Sequence, residues 1–174
     1  MRVLGIDPGL RLTGFGCVDG PAQAMASPRY VDAGVIRLVS STGPTPSIQS
    51  RLVELERDLL EIVERNAPDL IAIEALFTHK DHPFTAVQMA HARGVILLVA
   101  QKSGKEIAEL PPADVKRSVT GSGQASKAQM QASATRLLGL ASPPKPADIA
   151  DALCIAIAAR QRAMLPSSLA RGRV

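Results

Sequence analysis

The feature that most constrains this chain lies in its first nine residues. Val3-Leu4-Gly5-Ile6-Asp7-Pro8-Gly9 is an apolar run that ends in a carboxylate and turns at once. Val3, Leu4 and Ile6 suit a strand buried on both faces. Asp7 precedes proline, which biases it toward extended geometry. Pro8-Gly9 suits a type II turn, with glycine where φ > 0 is needed. Asp7 is thus expected at the end of a central strand with little access to water. A carboxylate there needs a donor, an opposite charge or a metal. Taken alone, hydrogen bonds from the turn would suffice. The rest of the chain must decide.

The length of 174 residues fits one domain that buries roughly two-thirds of its unfolded surface. Aromatic residues make up 2%, so a core built from the 46% hydrophobic share is aliphatic. Met1-Arg2 leads straight into a strand, so no secretory leader is expected. No apolar run reaches the length of a membrane span. Cys17 and Cys154 each sit in an apolar run, which suits buried thiols in a reducing cytoplasm. The net charge of +4 is unevenly spread. Residues 1–109 carry 11 basic and 13 acidic residues, and residues 110–174 carry 9 and 3. A basic second half suits a polyanion such as nucleic acid, or equally a solvated surface with a loose basic tail.

Leu12–Val18 and Val31–Val39 read as strands that complete a meander with the first. Ile48, Leu52, Leu55, Leu59 and Ile62 follow helical spacing, with Ser47 as cap and Pro68 as stop. Arg51, Glu54, Arg57, Asp58, Glu61 and Glu64 are assigned to its solvated faces. Asp69–Leu76 is a buried strand in which Glu74 repeats the Asp7 pattern, and a right-handed crossover would set it parallel to an earlier strand. His79 and His82 lack the nearby partners of a metal site and read as loop residues. Phe77 suits core, or stacking on a base beside Lys80. Residues 84–104 form a long helix with apolar residues on too many sides for a one-faced surface helix. Glu106–Leu110 is a last short strand. Helices follow from Pro111-Pro112, carrying Lys116 and Arg117, and from Ser126, carrying Lys127. A lysine in a first turn opposes the helix dipole and hints at a phosphate. After the rigid Ser142–Pro146 linker, a helix over 147–164 opens with Asp148 and Asp151, i and i+3 on one face. The dipole alone favours acids there by ~0.3–1 kcal/mol.

Asp7, Glu74, Asp148 and Asp151 therefore stand out together, two ending strands and two beginning a helix. Sites in open α/β sheets form at the carboxyl ends of strands. Carboxylate oxygens suit hard divalent cations, and a pair of ions serves phosphodiester hydrolysis. With the basic second half, a metal-dependent nuclease is the leading function.

These residues also resemble the bacterial RuvC Holliday-junction endonucleases, which have the ribonuclease H-like fold. Gly5-Ile6-Asp7-Pro8-Gly9 with Thr13-Gly14 resembles the family's opening motif. Ile73-Glu74 with Phe77 and Lys80 resembles its second acidic motif and the loop after it. Ala92-Arg93-Gly94 resembles its dimer-helix motif, and Val115-Lys116 with the later Gly-x-Gly and Lys127 its basic segment. Residues 147–153 resemble its last acidic motif, and 169–173 its tail. The resemblance departs at Ala75-Leu76 and in a loop over 80–84 one residue longer than usual. It implies an α/β ribonuclease H-like fold with a mixed five-stranded sheet, antiparallel in its first three strands, and helices on both faces. It implies one nuclease domain over 1–166 with a flexible basic tail over 167–174, in the cytoplasm. It implies two Mg²⁺ ions, with Mn²⁺ as substitute, on Asp7, Glu74, Asp148 and Asp151, and DNA contacts from Phe77, Lys80, Lys116, Arg117 and Lys127. The implied partners are a four-way DNA junction, a second copy of the chain and the RuvA–RuvB branch-migration complex.

Other classes fit less well. A sugar-kinase or actin-like ATPase shares the opening acid-and-glycine turn, but 174 residues do not hold its two domains. A DNA-binding module without catalysis gains nothing from four acids facing phosphates. A relative acting on RNA is set apart by the resemblance alone.

Overall fold

The computed structural model describes residues 1–21, 27–75 and 83–165, with backbone only at 83–85. Phe77, Lys80, His79, His82, Leu76 and the tail from 166 lie outside the described residues. The strands are β1 (Val3–Asp7), β2 (Leu12–Asp19), β3 (Arg29–Arg37), β4 (Leu70–Glu74) and β5 (Glu106–Leu110). The helices are α1 (Ile48–Asn66), α2 (Pro83–Lys102), α3 (Pro112–Thr120), α4 (Lys127–Leu137) and α5 (Ala147–Ala163). The strands form one sheet in the order β3-β2-β1-β4-β5. β1, β2 and β3 are antiparallel neighbours, and β4 and β5 continue parallel to β1. This is the mixed five-stranded sheet expected, with β1 at its centre.

Alternation along β1 feeds two cores. Leu4 and Ile6 pack with Leu55, Leu59, Ile71, Ile73, Ile96 and Val99, the side covered by α1 and α2. Val3 packs with Ala72, Leu153, Ala156 and Ile157, the side covered by α5, beyond which Val115, Val119 and Met130 of α3 and α4 close the layer. A buried Leu or Ile is worth ~1.5–3 kcal/mol over its exposed state, so a dozen such residues make an aliphatic core sufficient. Cys17 and Cys154 lie in opposite cores, and burial pushes both thiols up to about 12.

Several elements depart from the sequence reading. β4 stops at Glu74, with Ala75 already outside it, and β3 begins at Arg29 and ends at Arg37. A register shift at Cys17/Val18 lets β3 start early. In α1, Ser47 caps by accepting from the Ser50 N–H, and Ala67 ends the helix at φ 43° before Pro68. Its buried face, however, is Arg51-Leu55-Leu59-Ile62, turned from the expected one. Arg51 is 6% exposed and donates to the Leu10 carbonyl at 2.7 Å, so it is not part of a solvated face. Gly9 has no positive φ, so the turn after Asp7 is not type II. Glycine is required there for another reason: a Cβ would lie 2.2 Å from the Leu12 carbonyl oxygen.

Candidate metal centre and DNA-binding face

Asp7 ends β1 and Glu74 ends β4, its parallel neighbour. The parallel register pairs Gly5 with Ala72 and Ile6 with Ile73, so the next step sets the two acids side by side. Strand alternation turns both toward α5, since Val3, Leu70 and Ala72 belong to that core. On the other flank Asp7 is paired with Gly14 of β2.

Glycines bring α5 close enough to complete the cluster. A Cβ at Gly5 would lie 2.2 Å from the Ala152 carbonyl oxygen, and one at Gly14 2.3 Å from that of Asp148. The helix lies flush on β1 and β2, and its first turn delivers Asp148 and Asp151 beside Asp7. Neither acid caps the helix: Pro146 holds the N-cap position without a side-chain bond.

Electrostatics record the convergence. Burial, then the charges of Asp151, Glu74 and Asp148, push the Asp7 carboxyl up to about 7. Among the described residues no donor hydrogen-bonds that carboxylate. The nearby Gly9 N–H instead points to Thr13 Oγ1 at 3.3 Å, while the Thr13 hydroxyl donates to the Gly9 carbonyl at 2.6 Å. Glu74 and Asp151 are raised too, first by burial; the charge of Asp151 adds to the rise at Glu74 and that of Asp148 to the rise at Asp151. Four oxygen-donor groups that share negative charge fit a hard divalent cation. Among the described residues no three acid, histidine or cysteine side chains already stand as a ligand cage.

Two lysines stand at the cluster from the other side. Lys127 Nζ, on a side chain 83% exposed, lies 3.5 Å from Asp151 Oδ2. The Lys127 and Lys116 charges both act to lower the pKa of Glu74 and of Asp151, against the rise that burial brings. Ser126 and Gln129 cap α4 reciprocally, which fixes the turn that carries Lys127. Arg117 is not brought to this cluster; its Nη1 pairs with Asp114 of the same helix at 2.9 Å.

Three residues near the site hold positions that the sequence reading did not assign to them. Thr13 ties the turn that follows Asp7, and Arg51 holds the Leu10 carbonyl beyond it. Arg93 of α2 donates to the carbonyl of Glu74 itself at 3.1 Å. A visible signal existed for Arg51, a charged residue in helical step with Leu55, Leu59 and Ile62.

The chain matches the family model for crossover junction endodeoxyribonuclease RuvC over residues 3–159. It is 43% identical over 163 residues to the crossover junction endodeoxyribonuclease RuvC of Clavibacter michiganensis subsp. michiganensis, covering 94% of this chain and 77% of that one. With its counterpart in Nocardioides sp. it shares 45% over 157 residues, covering 90% and 85%. Among solved structures, Thermus thermophilus RuvC superposes with a TM-score of 0.81 at 29% identity, covering 94% of this chain and 95% of that chain. The same protein in complex with Holliday junction substrate gives 0.82 at the same identity and coverage. From the opening Asp7 strand to the acid-bearing last helix, the chain belongs to the crossover junction endodeoxyribonuclease RuvC family.

Proposed function

We propose that this protein is a structure-specific DNA endonuclease that resolves four-way Holliday junctions in recombination and repair by paired, symmetric nicks. The activity is that of its family, whose members carry it in their name, and whose Thermus thermophilus representative has been seen with a Holliday junction. The observation that carries the reading in this chain is the shared charge of Asp7, Glu74, Asp151 and Asp148, which sit where two parallel strand ends meet the first turn of α5. Those four residues would hold divalent metal, and we assign them two Mg²⁺ ions per site, with Mn²⁺ as a substitute. Bound there, the ions would supply an activated water and charge stabilisation at the departing 3′ oxygen, leaving 5′-phosphate and 3′-hydroxyl ends.

The chain's own residues do the rest. β1 and β4 set the spacing of Asp7 and Glu74, and α5 closes the site from above. Lys116 and Lys127 sit at its rim and neutralise phosphates on either side of the cut. Phe77 and Lys80, which follow Glu74 in sequence and lie outside the described residues, are assigned to the DNA branch point by the resemblance; a ring there would replace lost stacking worth ~1–3 kcal/mol per base. Arg117, whose Nη1 pairs with Asp114, is assigned to DNA by the resemblance. The molecule is one nuclease domain over 1–166 with a basic tail, working in the cytoplasm; among the described residues no helix is long and apolar enough to cross a membrane. It acts as a homodimer through α2, and by its resemblance with the RuvA–RuvB complex.

Incubation of a synthetic four-way junction with protein and Mg²⁺, resolved on denaturing gels, tests the reading. Nicks should fall at symmetric positions on opposing strands, and linear duplex should stay whole. Equal cutting of duplex, or binding without cutting, would sink it. Asp148→Asn and Asp151→Asn should each abolish cleavage under limiting Mg²⁺; parent-like cutting would remove that residue from the ligand set.

A further inference from the structure

We propose that Arg93 is a positioning residue for Glu74, holding the end of β4 from α2 and so setting where the Glu74 carboxylate projects. Its guanidinium spans two strand ends. Nη1 donates to the Glu74 carbonyl oxygen at 3.1 Å, and Nη2 pairs with Glu109 Oε2 on β5 at 2.5 Å. The Arg93 side chain is 12% exposed and that of Glu109 49%. Arg93 is thus the buried partner, and its carbonyl bond is the one shielded from competition with water.

Such a hold is needed at this point of the sheet. Glu74 faces Leu110 in register, and the Ala75 N–H donates to the Leu110 carbonyl at 2.8 Å. The Glu74–Ala75 peptide is therefore tied to β5 through its N–H, and on its carbonyl side the Arg93 guanidinium is the partner among the described residues. A planar fork that engages a carbonyl and a carboxylate together supplies that restraint, and a lysine head cannot reproduce it. The fork is carried on a rigid element, because Ala92 and Ile96 on either side of it are fully buried against the sheet. A ligand displaced by a fraction of an ångström binds metal less well, and groups that orient ligands typically cost 10–100-fold when removed. The same helix exposes Val87, Leu97 and Leu98.

The inference rests on Glu74 being a metal ligand. Its test compares Arg93→Ala, Arg93→Lys, Glu109→Gln and Glu74→Gln with the parent, all as full chains. Four quantities are read: melting temperature, metal-free junction binding, Mn²⁺ binding to the free protein by electron paramagnetic resonance, and the Mg²⁺ midpoint of cleavage. Arg93→Ala should bind the junction like the parent, yet raise both the Mn²⁺ dissociation constant and the Mg²⁺ midpoint by about 10-fold. Arg93→Lys should fall between, and Glu109→Gln should leave both near parent values. Parent-like metal binding in both Arg93 variants would overturn the assignment. So would a shift in Glu109→Gln equal to that of Arg93→Ala, since the ion pair alone would then account for it. If Arg93→Ala does not fold, Arg93→Lys decides on the same two metal readouts. Glu74→Gln separates the levels. Parent-like cutting by that variant would overturn the ligand reading and this one together. A dead Glu74→Gln beside normal Arg93 variants would overturn only the role given to Arg93.

Discussion

Asp7 is the residue on which the chemistry and the stability of the metal-free protein meet. Its carboxyl is pushed up to about 7 from an ordinary 3.8 by burial and by three neighbouring acids. A carboxyl raised in the folded state holds its proton more tightly there than in the unfolded chain. The stability this brings is complete below about pH 4 and is lost as pH rises through 7. Metal-free protein should therefore melt lower at pH 8 than at pH 5. Asp7→Asn should remove most of that difference and stabilise the metal-free protein at pH 8, an effect on the order of 1–4 kcal/mol. Mg²⁺ should raise the melting temperature of the parent at pH 8 and that of the variant far less, while cleavage by the variant falls by orders of magnitude. Thermal melts with and without Mg²⁺ check this; a pH-independent parent would mean that the acids do not share charge. Lys116 and Lys127 make the complementary case. Each alanine variant should weaken junction binding and reduce the slope of log affinity against log salt by about one unit, read from binding titrations across a salt series.

At the scale of elements, the site depends on how closely α5 lies on β1 and β2. Gly14 has room for no side chain, because a Cβ would meet the Asp148 carbonyl oxygen at 2.3 Å. Gly14→Ala should lift the first turn of α5, cost ~1–3 kcal/mol of stability and cut cleavage far more than junction binding. Denaturant melts beside cleavage and binding assays check it; parent-like stability and rate would mean that α5 does not need this approach. The elements themselves were legible in sequence because apolar spacing and turn residues are local. The face of α1 was misread for an equally physical reason. Ile48 and Leu52 keep helical spacing but sit at the rim, while Arg51 turns inward to serve the Leu10 carbonyl. A guanidinium with a buried acceptor behaves as a core residue, and no periodicity of hydrophobic side chains reveals the acceptor.

For the whole molecule, helix α2 is the open question. Ile96, Val99 and Ala100 bury one side of it, while Val87, Leu97 and Leu98 remain exposed on the other. Gly94 lies in open space, since an added Cβ would meet nothing within 4 Å. A second copy seated there would present two sites to a two-fold junction. Val87→Glu with Leu98→Glu should leave a monomer by light scattering, with its melting temperature close to the parent's because both positions face solvent. Its nicks should lose their pairing, with singly nicked junctions accumulating. A parent that is monomeric with junction bound would end the dimer reading.

The sequence by itself determined the order of strands and helices along the chain, the Ser47 cap of α1, the four acids that stand out at 7, 74, 148 and 151, and the resemblance to the family. These follow from local rules: an apolar run ending in an acid, a Ser before a helix, a proline after it. Only the tertiary structure decided which of the charged residues meet. It brought Lys116 and Lys127 to the acids and left Arg117 on Asp114. It turned Arg51 and Arg93 inward onto the carbonyls of Leu10 and Glu74. It also replaced the expected type II turn with a backbone packed against Leu12. The reason is one of range. Hydrophobic spacing is written within a helix or strand, whereas a charge acts on whatever the fold places beside it, 19 residues away for Arg93 and 41 for Arg51.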